Sequence, residues 1–316
     1  MPKPWWKRVG VLMAVLIVGS AAYFCANYIH HDQETEDLSD AARRGTGGSY
    51  VRLSDGVTHY ELAGPENART VVLVHGFSVP YYLWDPTFTA LVKAGMRTLR
   101  YDLYGRGYSD RPAEIYDADL YDRQLTELLR ALKIQGPVDL IGASMGGPVA
   151  VVFSAHHPDQ MRTLSLFDPA YLGGRTLRWG LAAPLVGEYE MAVDIAPTLA
   201  EGQRGDFQHP ERYPDYFPQF YAQMRYKGFR RALLSTMRHY FRQDLSGAYR
   251  RVGQIHKPVL AIWGREDRAV PLSVSKNLLS AMPQAEFHVI DDAAHLPFYE
   301  HPEVVDPMLL EFLGKN

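Results

Sequence analysis

The chain has 316 residues, 47% of them hydrophobic and 22% charged, with 33 Lys and Arg against 36 Asp and Glu for a net charge of −3. This is enough apolar material for one large domain with an insertion or for two small ones, and the charge balance gives nucleic acid no footing as a partner. The single cysteine, Cys25, excludes an internal disulfide framework and a cysteine-rich metal site.

The N-terminus runs from Trp5-Trp6-Lys7-Arg8 into an apolar stretch, Val9 to Ala26, interrupted only by Gly10, Gly19 and Ser20. That length is at the threshold for crossing a bilayer, and the two tryptophans beside basic residues form an interfacial anchor. Lys3, Lys7 and Arg8 precede the stretch while Asp32, Glu34, Glu36 and Asp37 follow it, so the positive-inside rule leaves the N-terminus in the cytoplasm and the remainder outside. Residues 1–29 therefore read as an uncleaved single-pass anchor. The rival is a signal peptide cut at Ser20-Ala21-Ala22, against which Tyr23 and Phe24 prolong the apolar run. Residues 30–48 are polar, without apolar periodicity, and read as a flexible linker.

Order is expected from residue 49 to the C-terminus. Two alternating runs around Asp55-Gly56 predict a β-hairpin, and Thr70 to Val74 predicts a buried strand entering His75-Gly76-Phe77-Ser78. Asp85 and Pro86 open a helix that ends by Gly95, and Met96 to Tyr101 is the next strand. A glycine-rich loop, Asp102 to Asp110, leads to a helix from Asp119 to Leu132 with leucines at helical spacing. Val138 to Ile141 is a strand, Gly142-Ala143-Ser144-Met145-Gly146 a tight turn, and Gly147 to His157 a helix stopped by Pro158. Strand, G-x-S-x-G and helix in succession form a nucleophile elbow, in which side chains at the glycines would collide with the strand and helix pressed against the turn.

A strand at Thr163 to Phe167 follows, and then the alternation stops. From about 171 to 249 no strand is legible, and the span is rich in aromatics and arginine, which predicts a helical cap inserted into the domain. The alternation resumes with a strand at Val259 to Trp263, a helix from Leu272 to Met282, a strand at Glu286 to Ile290 and a final helix from Glu303 to Leu313. The fold class is thus α/β, a mostly parallel sheet with helices on both faces.

A serine hydroxyl needs a base to become a nucleophile, and that base needs an orienting acid. Ser144, Asp267 and His295 occur in that order, each just after a predicted strand, and a parallel sheet brings such positions to one edge. With His75-Gly76, the 102–110 loop, the elbow, Gly264-x-x-Asp267-x-x-Val270-Pro271 and His295 before Glu300-x-Pro302, the chain resembles the α/β-hydrolase family, in particular its capped esterase and lipase-like members, from about Tyr50 onward. The resemblance implies Ser144 as nucleophile, His295 as base and acid, Asp267 as the orienting acid, and the backbone N–H groups of Phe77 and Met145 as the oxyanion hole. Asp168, also after a strand, is the rival acid; Asp102 and Arg106 are braces of their loop.

No metal site, P-loop or dinucleotide fingerprint is present in the sequence, so neither cofactor nor metal is expected. The expected function is hydrolysis of carboxylic esters, medium-chain or monoacylglycerol-like, at a membrane. Arg225, Lys227, Arg230, Arg231, Arg238 and Arg242 of the cap are candidates for resting on anionic headgroups. Two alternatives stand beside this: a carbon–carbon bond hydrolase of the aromatic-ring-degradation type, and a non-catalytic ligand-binding scaffold. The sequence leaves the oligomeric state open.

Overall fold

The computed structural model describes residues 5–174 and 176–316. Eight strands form one sheet: β1 (Ser49–Arg52), β2 (Val57–Ala63), β3 (Thr70–Val74), β4 (Arg97–Tyr101), β5 (Val138–Ala143), β6 (Met161–Phe167), β7 (Val259–Gly264) and β8 (Glu286–Ile290). Their order is β1-β2-β4-β3-β5-β6-β7-β8. The first two strands form the expected hairpin, β2 also pairs antiparallel with β4, and all other pairings are parallel. β3, β5 and β7 are buried along their whole length, as strands covered on both faces must be, and their continuous Val, Ile and Leu runs follow from that burial. Two apolar cores result, one on each face of the sheet.

Element boundaries differ from the sequence reading for local reasons. The helix Asp85–Lys93 continues a 3-10 turn over Tyr81–Trp84, so Asp85 sits in its first turn rather than capping it. Its carboxylate is free to pair with Arg100. The helix Ala118–Ala131 is capped by Asp117, whose carboxylate accepts the Leu120 N–H at 3.0 Å. Pro271 leads into a 3-10 turn, Leu272–Val274, before the helix Ser275–Ala281.

Between β6 and β7 the described residues contribute no strand to the sheet; short helices, among them Pro218–Met224 and Phe229–Arg238, lie over the C-terminal sheet edge. Gln223 fastens this cap to the body: its amide donates to the Ser78 carbonyl at 2.8 Å and accepts the Gly107 N–H at 2.9 Å.

The N-terminal helix, Trp5–His30, is apolar enough by length and composition to cross a membrane, with mean hydropathy 2.2 over its best window. None of its residues is buried. Lys3, part of its basic flank, lies outside the described residues. At its C-terminal end Asn27 donates to the Tyr189 hydroxyl at 2.6 Å, and Phe24 meets the same ring edge-on at 5.2 Å.

The segment read as a flexible linker is instead laid along the cap. Glu36 N–H donates to Arg225 O at 2.9 Å, and Lys227 N–H donates to Glu36 O at 2.8 Å. Glu34 accepts the N–H of Gly228 at 2.9 Å, and Asp32 pairs with Arg230. Its acidic run looked like a solvated tail because its partners lie about 190 residues later in the chain, at separations such as 194 for Glu34 and Gly228. The same contacts engage five of the six cap cations named as candidates for headgroup contact. Arg225, Lys227, Arg230 and Arg238 pair with Glu36, Asp37, Asp32 and Glu188, and Arg231 donates to the carbonyls of Arg111 and Pro112.

Candidate active site

β5 ends at Ala143, and Ser144 takes φ +51° before the helix Gly146–His156 begins. A side chain with that backbone is strained, and the turn persists because its surroundings enforce it. Ser144 N–H donates to Phe167 O at 3.0 Å, and Ser144 O accepts from Gly147 and Ala170 at 3.1 and 3.0 Å. The glycines permit the approach: a Cβ on Gly146 would stand 2.1 Å from Val74 O, and one on Gly142 would stand 2.4 Å from Gly146 O. Ser144 is left half-buried, facing a cavity of about 330 Å³ that it shares with His295.

The imidazole comes from the loop after β8, the carboxylate from the loop after β7. Nδ1 of His295 lies 2.8 Å from Oδ2 of Asp267, while Oδ1 of Asp267 accepts the N–H groups of Ala269 and Val270 at 2.8 and 2.9 Å. Both residues are buried. Burial alone would lower the His295 pKa, but the bond and charge of Asp267, with the charge of Asp206, outweigh it and hold the pKa above the ordinary histidine value.

Asp168, the rival acid, does not hold His295. Its Oδ1 accepts the Gly264 N–H at 2.8 Å, and its Oδ2 is buried with no donor. Burial first, then the charge of Asp267, drives its pKa well above the usual carboxylate range, which favours its neutral form. Oxygen and nitrogen atoms of Asp168, Asp267 and His295 lie within 4.8 Å of one another, a spacing a cation could share. A proton on Asp168 accounts for the same closeness.

Across the cavity stands the turn after β3. Neither the Phe77 nor the Met145 N–H is spent in a loop or cap bond among the described residues, which leaves both as donors. Their turn is held from behind. His75 is fully buried, with Nδ1 2.9 Å from Gly76 O and Nε2 accepting the Leu103 N–H at 2.9 Å, and burial lowers its pKa to about 4. Arg106, also fully buried, donates to Phe77 O at 2.6 Å, to the Tyr121 hydroxyl at 2.8 Å and to Thr236 on the cap at 2.9 Å. Asp102 accepts from Tyr81 N, Tyr108 N and His59 Nδ1 at 2.8, 2.9 and 2.7 Å and does not line the cavity, as expected of a brace. The Phe77 side chain lines the cavity, whereas that of Met145 belongs to the core.

The remaining wall was not legible in the sequence. Leu199, Gln203 and Asp206 reach it from the cap, and Glu300 holds the two sides together, accepting Gln208 N and Ala294 N at 2.7 Å each. An insertion without strands offers no register from which to place such residues; only their spacing on short helical turns hinted at a common face.

Such a constellation can transfer a proton from a serine hydroxyl to imidazole and receive negative charge on two N–H groups. The family of the alpha/beta hydrolase fold matches residues 69–302. The chain is 29% identical over 285 residues to a 2-hydroxy-6-oxononadienedioate/2-hydroxy-6-oxononatrienedioate hydrolase of Paraburkholderia xenovorans, covering 84% of this chain and 94% of that one. In fold it is similar to the enol-lactonase of Burkholderia xenovorans LB400, with TM-score 0.73, 24% identity and coverage of 84% and 100%. It is also similar in fold to a bacterial membrane phospholipase A, with TM-score 0.68 and 21% identity, over 98% of this chain and 96% of that one.

Proposed function

The chain belongs to the α/β-hydrolase family and is a hydrolase, and we propose that it works by acyl transfer to Ser144, cleaving a carbon–carbon bond next to a ketone. The observation that carries the mechanism is that Ser144 and His295 line one cavity while His295 is held from behind by the 2.8 Å bond to Asp267. His295 Nε2 takes the Ser144 hydroxyl proton as Oγ attacks the carbonyl carbon. The resulting oxyanion is received by the N–H groups of Phe77 and Met145. The imidazolium, stabilised by Asp267, returns its proton to the leaving group, and water activated by His295 then releases the acyl group from Ser144.

The bond cut is the finer question. Several curated relatives are named hydrolases of 2-hydroxy-6-oxononadienedioate or of 2-hydroxymuconate semialdehyde, and hydrolysis of such compounds at a carbon–carbon bond is the reading this supports over the ester hydrolysis expected from the sequence. There the leaving group is carbon, which departs only if a conjugated carbonyl takes up its electron pair. Ester hydrolysis remains the second reading for one specific reason: among the described residues no lysine or arginine lines the cavity to receive a substrate carboxylate. Side-by-side turnover of vinylogous 1,5-diketones and neutral esters is the test. Diketone cleavage without ester turnover establishes the first reading, and the converse establishes the second.

The N-terminal helix we assign as an anchor that keeps the protein at a membrane with the domain on the extracytoplasmic side. Its apolar length, and Lys7 and Arg8 at its start, support this. Retention in the membrane fraction through high-salt washing is the expected result, and a mature N-terminus at Tyr23 would replace the anchor with a cleaved signal.

A further inference from the structure

Asp206 stands at the end of a 3-10 turn of the cap, Gln203–Asp206, and its main-chain carbonyl accepts the N–H of His295 at 3.0 Å. Its half-buried carboxyl group lines the same cavity as Ser144 and His295. The titratable groups facing it are His295 and, behind that, Asp267. Among the described residues nothing of permanent positive charge lines the cavity, and the other lining residues are glycines, apolar side chains, two hydroxyl-bearing residues besides Ser144 and the amide of Gln203. Asp206 makes no hydrogen bond through its side chain among the described residues, and the charge it faces there is that of His295.

We propose that Asp206 is a charge filter mounted on the cap, which excludes substrates carrying an anionic group close to the scissile carbonyl and restricts the site to neutral or cationic ones. The physical reason is Coulombic. Two like charges a few ångströms apart in a cavity partly closed to water repel strongly, and no lysine or arginine among the described lining residues offsets them. Burial pushes the Asp206 carboxyl up to about 6, against the opposing charge of His295, so the group is ionised at mildly alkaline pH. The inference rests on Ser144 as the nucleophile and deepens that reading by naming the substrate class. It holds for either bond type, and it separates this chain from a relative whose named substrate is a dicarboxylate.

The test uses the full-length protein and two isosteric p-nitrophenyl esters: 4,4-dimethylpentanoate, and 3-sulfopropanoate, whose sulfonate is ionised at every working pH. At pH 8 the wild-type chain is expected to favour the neutral ester in kcat/KM by on the order of 100-fold. Asp206→Asn is expected to shrink that preference about tenfold or more, and Asp206→Glu to retain it. In the wild-type chain the preference should also shrink as pH falls from 8 to 5 and Asp206 takes up its proton. This second reading needs no variant to fold. A preference unchanged both by Asp206→Asn and by pH overturns the filter. If neither ester turns over, the same ratio is read from the rates at which matched neutral and sulfonated p-nitrophenyl phosphonates label Ser144. No labelling of Ser144 by either phosphonate overturns the nucleophile reading, and the filter falls with it.

Discussion

Asp168 and Asp267 place two buried carboxyl groups side by side behind the imidazole of His295, with side-chain atoms of all three within 4.8 Å of one another. Two adjacent carboxylates in a dry interior cannot both be ionised, and the hydrogen bonds decide which one is. Asp267 accepts two backbone N–H groups and faces Nδ1 of His295, whereas Asp168 accepts only one N–H and keeps an oxygen without a donor. Asp168 is therefore the protonated partner. Asp267→Asn should cost kcat on the order of 10³–10⁴ by favouring the wrong imidazole tautomer. Asp168→Asn, whose amide donates to Asp267 in place of the proton, should cost roughly tenfold or less. Steady-state kinetics of both variants check the ranking, and the reverse order would overturn the assignment.

The elbow yields a second pair of expectations that separate chemistry from folding. Ser144→Ala should lower kcat on the order of 10⁴ or more while the thermal unfolding midpoint is kept. Gly146→Ala should act on the fold instead, because the new Cβ would meet the backbone oxygens of Val74 and His75 at 2.1 and 2.6 Å. Neither carbonyl can move without disturbing β3, so a loss of about 1–3 kcal/mol or more in stability is expected, read by chemical denaturation.

Much of this site was legible before any coordinates, and the reason is geometric. Ser144 and Asp267 each follow an apolar run that reads as a buried parallel strand, His295 follows the half-exposed edge strand β8, and parallel strands present their C-terminal ends along one edge. Arg106 was legible as a brace because it lies in a loop already fixed by its glycines. Asp206 and Gln203 were not, since they hang from a segment whose helices are only a few residues long and carry no sheet register. The docking of Asp32, Glu34 and Glu36 escaped for a related reason. Opposite charges far apart in the chain have no periodicity that would pair them.

The pH dependence follows from the groups around His295. The base must be neutral to accept the Ser144 proton, so kcat/KM should rise with pH through the His295 pKa. Asp267 and Asp206 hold that pKa above the ordinary histidine value, so the acid limb lies above the usual histidine range. Removing the Asp206 charge by Asp206→Asn should move the limb to lower pH, and Asp267→Asn should move it further. Profiles of kcat/KM against pH for the three proteins check the order, and a limb unmoved by Asp206→Asn would mean that the cap carboxylate does not act on the imidazole.

The last expectation concerns the segment between the N-terminal helix and β1. Glu34 accepts the N–H of Gly228 at 2.9 Å and of Arg230 at 2.5 Å, so it caps the first turn of the cap helix Phe229–Arg238 from a distant part of the chain. Both Glu34 and Arg230 are largely withdrawn from solvent, with side chains 10% exposed. Losing a charged acceptor there leaves two backbone donors unsatisfied, a cost of about 1–3 kcal/mol. The outer pairs, Lys227 with Asp37 and Arg225 with Glu36, lie in solvent and should contribute no more than about 0.5–1 kcal/mol each. Glu34→Ala should accordingly lower the unfolding midpoint by several degrees, and Asp37→Ala should barely move it. A chain beginning at Ser49 loses all of these contacts at once and should show a cap that proteases cut between residues 199 and 238, while the sheet and its flanking helices survive. In the full-length chain the 32–44 segment should resist the same digestion. Rapid cleavage within that segment, with no effect of Glu34→Ala on the melt, would return it to the flexible linker that its composition alone implies.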